Sequence, residues 1–262
     1  MNISRKQFNH FFTFQKPRTR AIQTLNNIYL IHNLTMKSLV RFREELRRGE
    51  HSSFKLLVPS ASGEEVVVTR KTSKVLNLLD DAITRDLHQQ SLITAVSVLE
   101  EYVFSTAKII LRWYPEKLKT NMAGVATERK FDIDLLLQSE NLDSLLTRVV
   151  ERQLLMVSYD SPDRYLQYIE RALSITLPEE TKNKYCEIKT TRDILVHNQG
   201  IVNSVYLKKA GGLARAKEGD LLPVDSNYFD EAIRCMKRLT NKIYKQCLGK
   251  YGNAETPLPK QD

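Results

Sequence analysis

From about Arg20 to Arg48, Ile22, Leu25, Ile28, Tyr29, Ile31, Leu34, Leu39, Val40, Phe42 and Leu46 recur at the spacing that gathers side chains on one side of a helix. The period then changes. "FKLLV", the turn-like "PSASG" and "EEVVVTR" read as two short strands joined in a hairpin over residues 54–70, an insertion among helices. Helical spacing returns with Leu76, Leu79, Ile83, Leu87, Leu92, Val96, Leu99, Val103 and Ile110 and runs to Trp113, with Thr72 or Ser73 as a cap and Pro115 as a stop. "DLLLQSENLDSLLTRVVERQLLMV" predicts one or two helices ending near Tyr159. Ser161 followed by Pro162 opens the next helix, and Pro178 with Glu179 and Glu180 opens another. A last helix runs through Phe229, Ile233, Met236, Leu239, Ile243 and Leu248, capped by Asp225 or Ser226 and stopped by Gly249 or Gly252.

The predicted architecture is therefore an all-α helix bundle carrying a small β-hairpin insertion near the end of its N-terminal third. Residues 1–18 read as a basic arm ending at Pro17, residues 19–250 as a single helical domain, and residues 251–262 as a disordered tail.

Composition adds little to the fold but narrows the setting. Apolar residues make up 42% and charged residues 27%, and 262 residues can bury a core that needs neither disulfide nor metal. Cys186, Cys235 and Cys247 lack C-x-x-C spacing and cannot all pair, which predicts a reducing, cytoplasmic location. "SLITAVSVLEEYVF" is interrupted by Glu100 and Glu101, too early for a membrane span, and the N-terminus lacks the apolar run of a secretory signal. The net charge of +9 is uneven: residues 1–20 hold Arg5, Lys6, Lys16, Arg18 and Arg20 and no acid. A polyanion such as RNA suits that excess, and so does a solvated lysine-rich surface.

One segment carries candidate chemistry, "TTRDILVHNQGIVN", Thr190 to Asn203. On a helix from about Lys182 to Asn198, Tyr185, Ile188, Leu195 and Val196 share a face, and Arg192 falls among them. A guanidinium there needs a matching anion, either an internal carboxylate or a bound phosphate. His197 projects about 140° away from Arg192 on an ideal helix. Asp193, one helical turn before His197, is placed to hydrogen-bond and orient its ring, while the helix end favours a cation there. A histidine that merely caps the helix is the plainer alternative. For Arg192 and His197 to cooperate, either the helix unwinds before Gly200 or two copies of the segment meet about a twofold axis.

Elsewhere the chemistry is thinner. Asp80–Asp81, Glu100–Glu101 and Glu179–Glu180 are adjacent pairs whose side chains diverge by about 100°, so none clasps a metal. Cys186 and His197 lack zinc spacing, and no metal or cofactor is predicted. His10, His32, His51 and His88 read as surface or internally satisfied histidines. Tyr206, Lys208 and Lys209 follow the motif and are candidates to touch a base and phosphates, with solvated lysines the alternative.

R-D-I-L-V-H-N resembles the R-x-x-x-x-H motif of the HEPN superfamily, helical domains found in RNA-cleaving toxins and in antiviral and stress-response proteins. "VHNQGIVNSVYLKKAG" and "SPDRYLQYIERALSI" resemble the branch related to the RiboL-PSP type, and "AVSVLEEYVF" resembles an earlier family helix; together these cover roughly residues 87–248. The N-terminal helix and hairpin match nothing in that pattern. The resemblance implies a helical bundle, a homodimer with paired motifs at its interface, and metal-independent endoribonuclease activity. It further implies that Arg192 binds phosphate, that His197 is the general base or acid, that Asp193 sets the ring tautomer, and that Asn198 donates to the phosphate or supports the backbone. Glu100 becomes a family-like acid paired with Arg192 or His197. A toxin or antiphage effector, with an antitoxin or regulatory partner, fits this implication. Two other readings stand beside it: a noncatalytic module of the same fold that binds RNA or protein, and a motif silenced by modification of a nearby tyrosine such as Tyr206.

Overall fold

The structure is a computed structural model and describes residues 5–49, 52–120 and 139–252. Helix α1 spans Arg5–Arg48, about 65 Å at 1.5 Å per residue. This corrects the predicted arm. From Arg5 onward the chain is already helical, and Pro17 lies inside α1 without ending it. Phe14 is 2% exposed, packed edge-on against Trp113 at 5.4 Å. Arg18 donates from Nε and Nη2 to Oδ1 of Asn241, and its guanidinium lies over the Tyr244 ring. Anchoring far along the chain outweighs the one helical hydrogen bond that the proline removes.

The hairpin forms where predicted. Strands β1 (Ser53–Pro59) and β2 (Glu65–Lys71) pair antiparallel, from Ser53 opposite Lys71 to Pro59 opposite Glu65. Gly63 turns the chain between them at φ +88°. Helix α2 (Thr72–Asp81) follows at once, and neither Thr72 nor Ser73 acts as its cap: the residue before the helix is Lys71, and the Thr72 N–H donates to the Ser52 carbonyl. A π-helical turn, Ala82–Asp86, joins α2 to α3 (Leu87–Trp113). Pro115 ends α3 and starts a short 3₁₀ turn to Lys119.

The remaining helices are α4 (Leu142–Ser158), α5 (Pro162–Leu173), α6 (Glu179–His197), α7 (Ser204–Ala210) and α8 (Ser226–Tyr251). Their starts are fixed by side-chain caps where the sequence offers them: Asn141 with Ser144, Ser161 with Pro162 behind it, Asn203, and Asp225 rather than Ser226. The stretch before α4 that was predicted to be helical lies largely outside the described residues. So does the predicted tail, apart from Tyr251, whose buried hydroxyl donates to the Leu173 carbonyl, and Gly252.

Helix α3 runs through the centre. Leu92, Val96, Leu99, Val103, Ile110 and Leu111 are fully buried, against α1 and α8 on one side and α4, α5 and α6 on the other. The arrangement is mostly helical with one two-stranded sheet, and among the described residues no helix is long and apolar enough to cross a membrane. At the α1–α3 contact the His32 and His88 rings lie 4.7 Å apart beside Phe229. His32 Nδ1 is hydrogen-bonded to Ser91, whereas His88 Nδ1 is buried with no hydrogen-bond partner among the described residues. Burial lowers both imidazoles, His32 to about 4.

Candidate functional site

Helix α6 presents the motif, and its inner face is more polar than its neighbours'. Tyr185, Cys186, Ile188 and Ile194 are buried, but so are Glu187, Lys189, Thr190 and Thr191. Glu187, Lys189, Thr190 and Thr191 each find a partner on α6 or on an element packed against it, whereas the buried Tyr185 hydroxyl has none among the described residues. Thr190 donates back to the Cys186 carbonyl, and Thr191 to Glu187 Oε1. Burial pushes the Cys186 thiol up to about 12, leaving it protonated and unreactive.

The helix does not unwind ahead of His197. It stays regular to that residue; Asn198 then leaves helical geometry, and Gln199 (φ 53°) and Gly200 (φ 76°) reverse the chain in the left-handed region. A Cβ at Gly200 would sit 3.3 Å from Leu195 Cδ2 and 3.4 Å from Leu221 Cδ1, so glycine serves both the turn and the close packing. Asn198 Nδ2 donates to the Ile201 carbonyl at 2.6 Å, which commits its side chain to the backbone of this turn.

Arg192 is held by internal acids. Its Nη1 donates to Asp193 Oδ1 at 2.9 Å, and its Nη2 lies 3.5 Å from Glu100 Oε2 on α3. Glu100 also accepts from Lys189 Nζ. Its predicted pairing with Arg192 is therefore present, and Lys189 is a further partner the sequence did not single out. Arg192 Nε is buried and finds no hydrogen-bond partner among the described residues. The predicted bond from Asp193 to His197 is replaced. Asp193 turns to its neighbour Arg192, with Lys189 at 3.8 Å, because two fixed cations lie nearer than an imidazole at the exposed helix end. His197 is exposed and makes no hydrogen bond or ion pair among the described residues. Val196, predicted to share the buried face, is 48% exposed.

Arg192, Asp193, His197 and Asn198 nevertheless line one open cleft of about 750 Å³, together with Glu100, Lys189 and Lys209. Tyr159 and Asp160, after α4, form another part of its wall. The lining holds four carboxylates, Glu100, Glu101, Asp160 and Asp193, against the fixed cations Lys189, Arg192 and Lys209. An anion entering the cleft must therefore compete with resident acids for Arg192. Among the described residues no group of three or more His, Cys, Asp or Glu side chains is arranged to hold a metal ion.

Tyr206 is not the surface ring that its place after the motif predicts. It is fully buried, and its hydroxyl donates to Glu187 Oε1 at 3.0 Å. Burial, with the Glu187 carboxylate beside it, raises the phenol above its usual value, so it stays a neutral donor. The amphipathic α7 turns this ring inward, which removes it both as a base-stacking surface and as an accessible site of modification. Lys208 and Lys209 on the same short helix are exposed, and Lys209 reaches the cleft.

The network that buries Tyr206 was not evident from the sequence. Glu187, 4% exposed, accepts from Tyr206, Thr191, Tyr228 and Arg215. The Arg215 guanidinium lies 3.6 Å from the centre of the Tyr228 ring and also donates to the Pro223 carbonyl. The one local signal is the spacing of Glu187 and Thr191, a helical turn apart on the buried face. The other partners come from residues 206 to 228. This cluster fixes the segment after the motif onto α6. Comparison with known proteins finds no matching family model, no similar curated protein and no similar solved structure.

Proposed function

We propose that this cleft is the active site of a metal-independent endoribonuclease of the HEPN type. The observation that carries the reading is that Arg192 and His197, five residues apart on α6, line a single open cleft with the imidazole exposed and uncommitted. RNA supplies its own nucleophile, the 2′-hydroxyl. His197 takes or returns the proton, and Arg192 holds the nonbridging phosphate oxygens as Glu100 gives way. Attack of the 2′-oxygen on phosphorus breaks the bond to the 5′-oxygen, leaving a 2′,3′-cyclic phosphate and a 5′-hydroxyl. Asp193 keeps Arg192 aimed, Asn198 holds the turn that seats His197, and Lys209 adds positive charge at the rim. A cytoplasmic homodimer with paired motifs, acting as a toxin or antiphage effector under a protein antitoxin or regulator, is the biological setting that accords with this chemistry.

A second reading has its own support. Four carboxylates facing three fixed cations, with Arg192 already ion-paired, suit a noncatalytic cleft in a module that binds a protein, or RNA through other basic surface. One experiment separates the two. RNA incubated with the protein in chelator acquires cyclic-phosphate termini if the first reading holds, and His197→Ala and Arg192→Ala each abolish them. RNA retarded on a gel with no new termini under any condition establishes the second.

A further inference from the structure

Two strands alone are marginally stable in water, and this hairpin leaves most of its apolar surface uncovered. Leu57 is 63% exposed, Val67 61%, Leu56 45% and Val66 43%. The two free edges differ in kind. Ser60 N–H donates to the Glu64 carbonyl, and Thr72 N–H to the Ser52 carbonyl, which sets the phase of the ladder. Bonded and non-bonded pairs alternate between antiparallel strands, so Val66, Val68 and Arg70 bond to β1. Glu65, Val67, Thr69 and Lys71 therefore turn their N–H and C=O groups outward. On β1 the outward residues are Ser53, Lys55, Leu57 and Pro59; the proline has no N–H, and the lysine sits mid-strand. Those are features that discourage pairing. The outward edge of β2 has neither, and among the described residues its only strand neighbour is β1.

The β2 sequence, E-V-V-V-T-R-K, is complementary to itself when reversed. Laid antiparallel about Val68, Glu65 of one copy faces Lys71 of the other at both ends, Val67 faces Thr69, and Val68 faces Val68. In that register, and not when shifted, all four outward residues exchange hydrogen bonds. We infer that β2 is the edge through which two copies of this chain pair, giving a continuous four-stranded antiparallel sheet. The contact uses none of the residues that line the cleft, so it stands whether or not the protein cuts RNA.

The Val68 pair is non-hydrogen-bonded, with Cα atoms about 4.5 Å apart, close enough for a disulfide. Val68→Cys under mild oxidation is expected to give a covalent dimer on a non-reducing gel; Val66→Cys, off the axis, is not. The native cysteines are buried and stay silent. Val67→Pro deletes an outward N–H without touching the β1 ladder, and sedimentation should show the dimer at least about tenfold weaker. Glu65→Lys or Lys71→Glu alone should weaken it about tenfold, and the double exchange should restore it. Within the hairpin these two residues face Pro59 and Ser53, so the exchange leaves the hairpin itself unchanged. A monomer at every concentration overturns the inference, even if it pairs with a strand of some other protein. So does a dimer indifferent to Val67→Pro and to charge reversal.

Discussion

Arg192 Nη2 lies 3.5 Å from Glu100 Oε2, so the cation of the motif is restrained by an acid on a different helix. A phosphate that binds Arg192 must displace that acid. Glu100→Gln keeps the shape and removes the competitor. The expected result is tighter binding of a labelled single-stranded RNA by about three- to tenfold at fixed salt, read by fluorescence anisotropy. Arg192→Gln should weaken binding. Equal affinities across wild type and both variants would remove Arg192 as a phosphate ligand.

Tyr159 is 81% exposed and stands in the cleft wall. With Tyr206 buried, it is the accessible aromatic ring of the cleft best placed to stack on a base. Tyr159→Ala is expected to cost about tenfold in affinity for single-stranded RNA, within the roughly 1–3 kcal/mol of one base stack, while Tyr159→Phe binds like wild type. If the phenylalanine variant loses as much as alanine, stacking is not what the ring contributes.

The Glu187 carboxylate is the single acceptor shared by Arg215, Tyr206, Tyr228 and Thr191. Glu187→Ala strands a guanidinium whose side chain is 23% exposed, and should lower unfolding free energy by about 3 kcal/mol in urea. Substituting both Glu187 and Arg215 by apolar residues should recover part of that loss. A Glu187→Ala protein with unchanged urea midpoint would mean that the network contributes nothing net.

The His32–His88 pair makes stability depend on pH. Burial holds His32 at about 4, below its unfolded value of 6.5, and lowers His88 as well, while Asp225 and Asp230 nearby pull the other way. A depressed histidine pKa means that the unfolded chain binds more protons, so this contribution is present above about pH 6.5 and is lost as pH falls towards 4. The loss is on the order of 3 kcal/mol for His32. Thermal melts across that range should fall steeply for wild type and less so for His32→Gln; parallel curves would refute the assignment.

The helices and the hairpin were legible because their signals are local. A break in the helical period and two short runs on either side of a turn-like stretch placed the strands to within a residue, and Ser161 and Asp225 marked helix starts through bonds that span three residues. What failed was decided at a distance. Pro17 and the basic residues around it imply an arm only if nothing anchors them; Trp113, Asn241 and Tyr251 do. The same holds at the cleft. Spacing made Asp193 available to His197, but it could not show that Lys189 and Glu100 would join Arg192 and Asp193 in one ion-pair cluster. Sequence alone leaves Tyr206 a candidate surface ring because the partner that draws it in, Glu187, sits 19 residues earlier behind an ordinary helical pattern.

The left-handed turn after His197 is moored from two directions. Gly200 N–H donates to the Ile194 carbonyl inside α6, and the Gly200 carbonyl accepts from Leu222, while Val202 and Asp220 bond beside it and Ile201 bridges Leu221. The imidazole therefore rides on a hinge pin shared with the loop of residues 217–222, on the far side of the chain reversal. Loosening residues 217–222 would release the far anchor of the turn that follows His197 without altering any residue that lines the cleft.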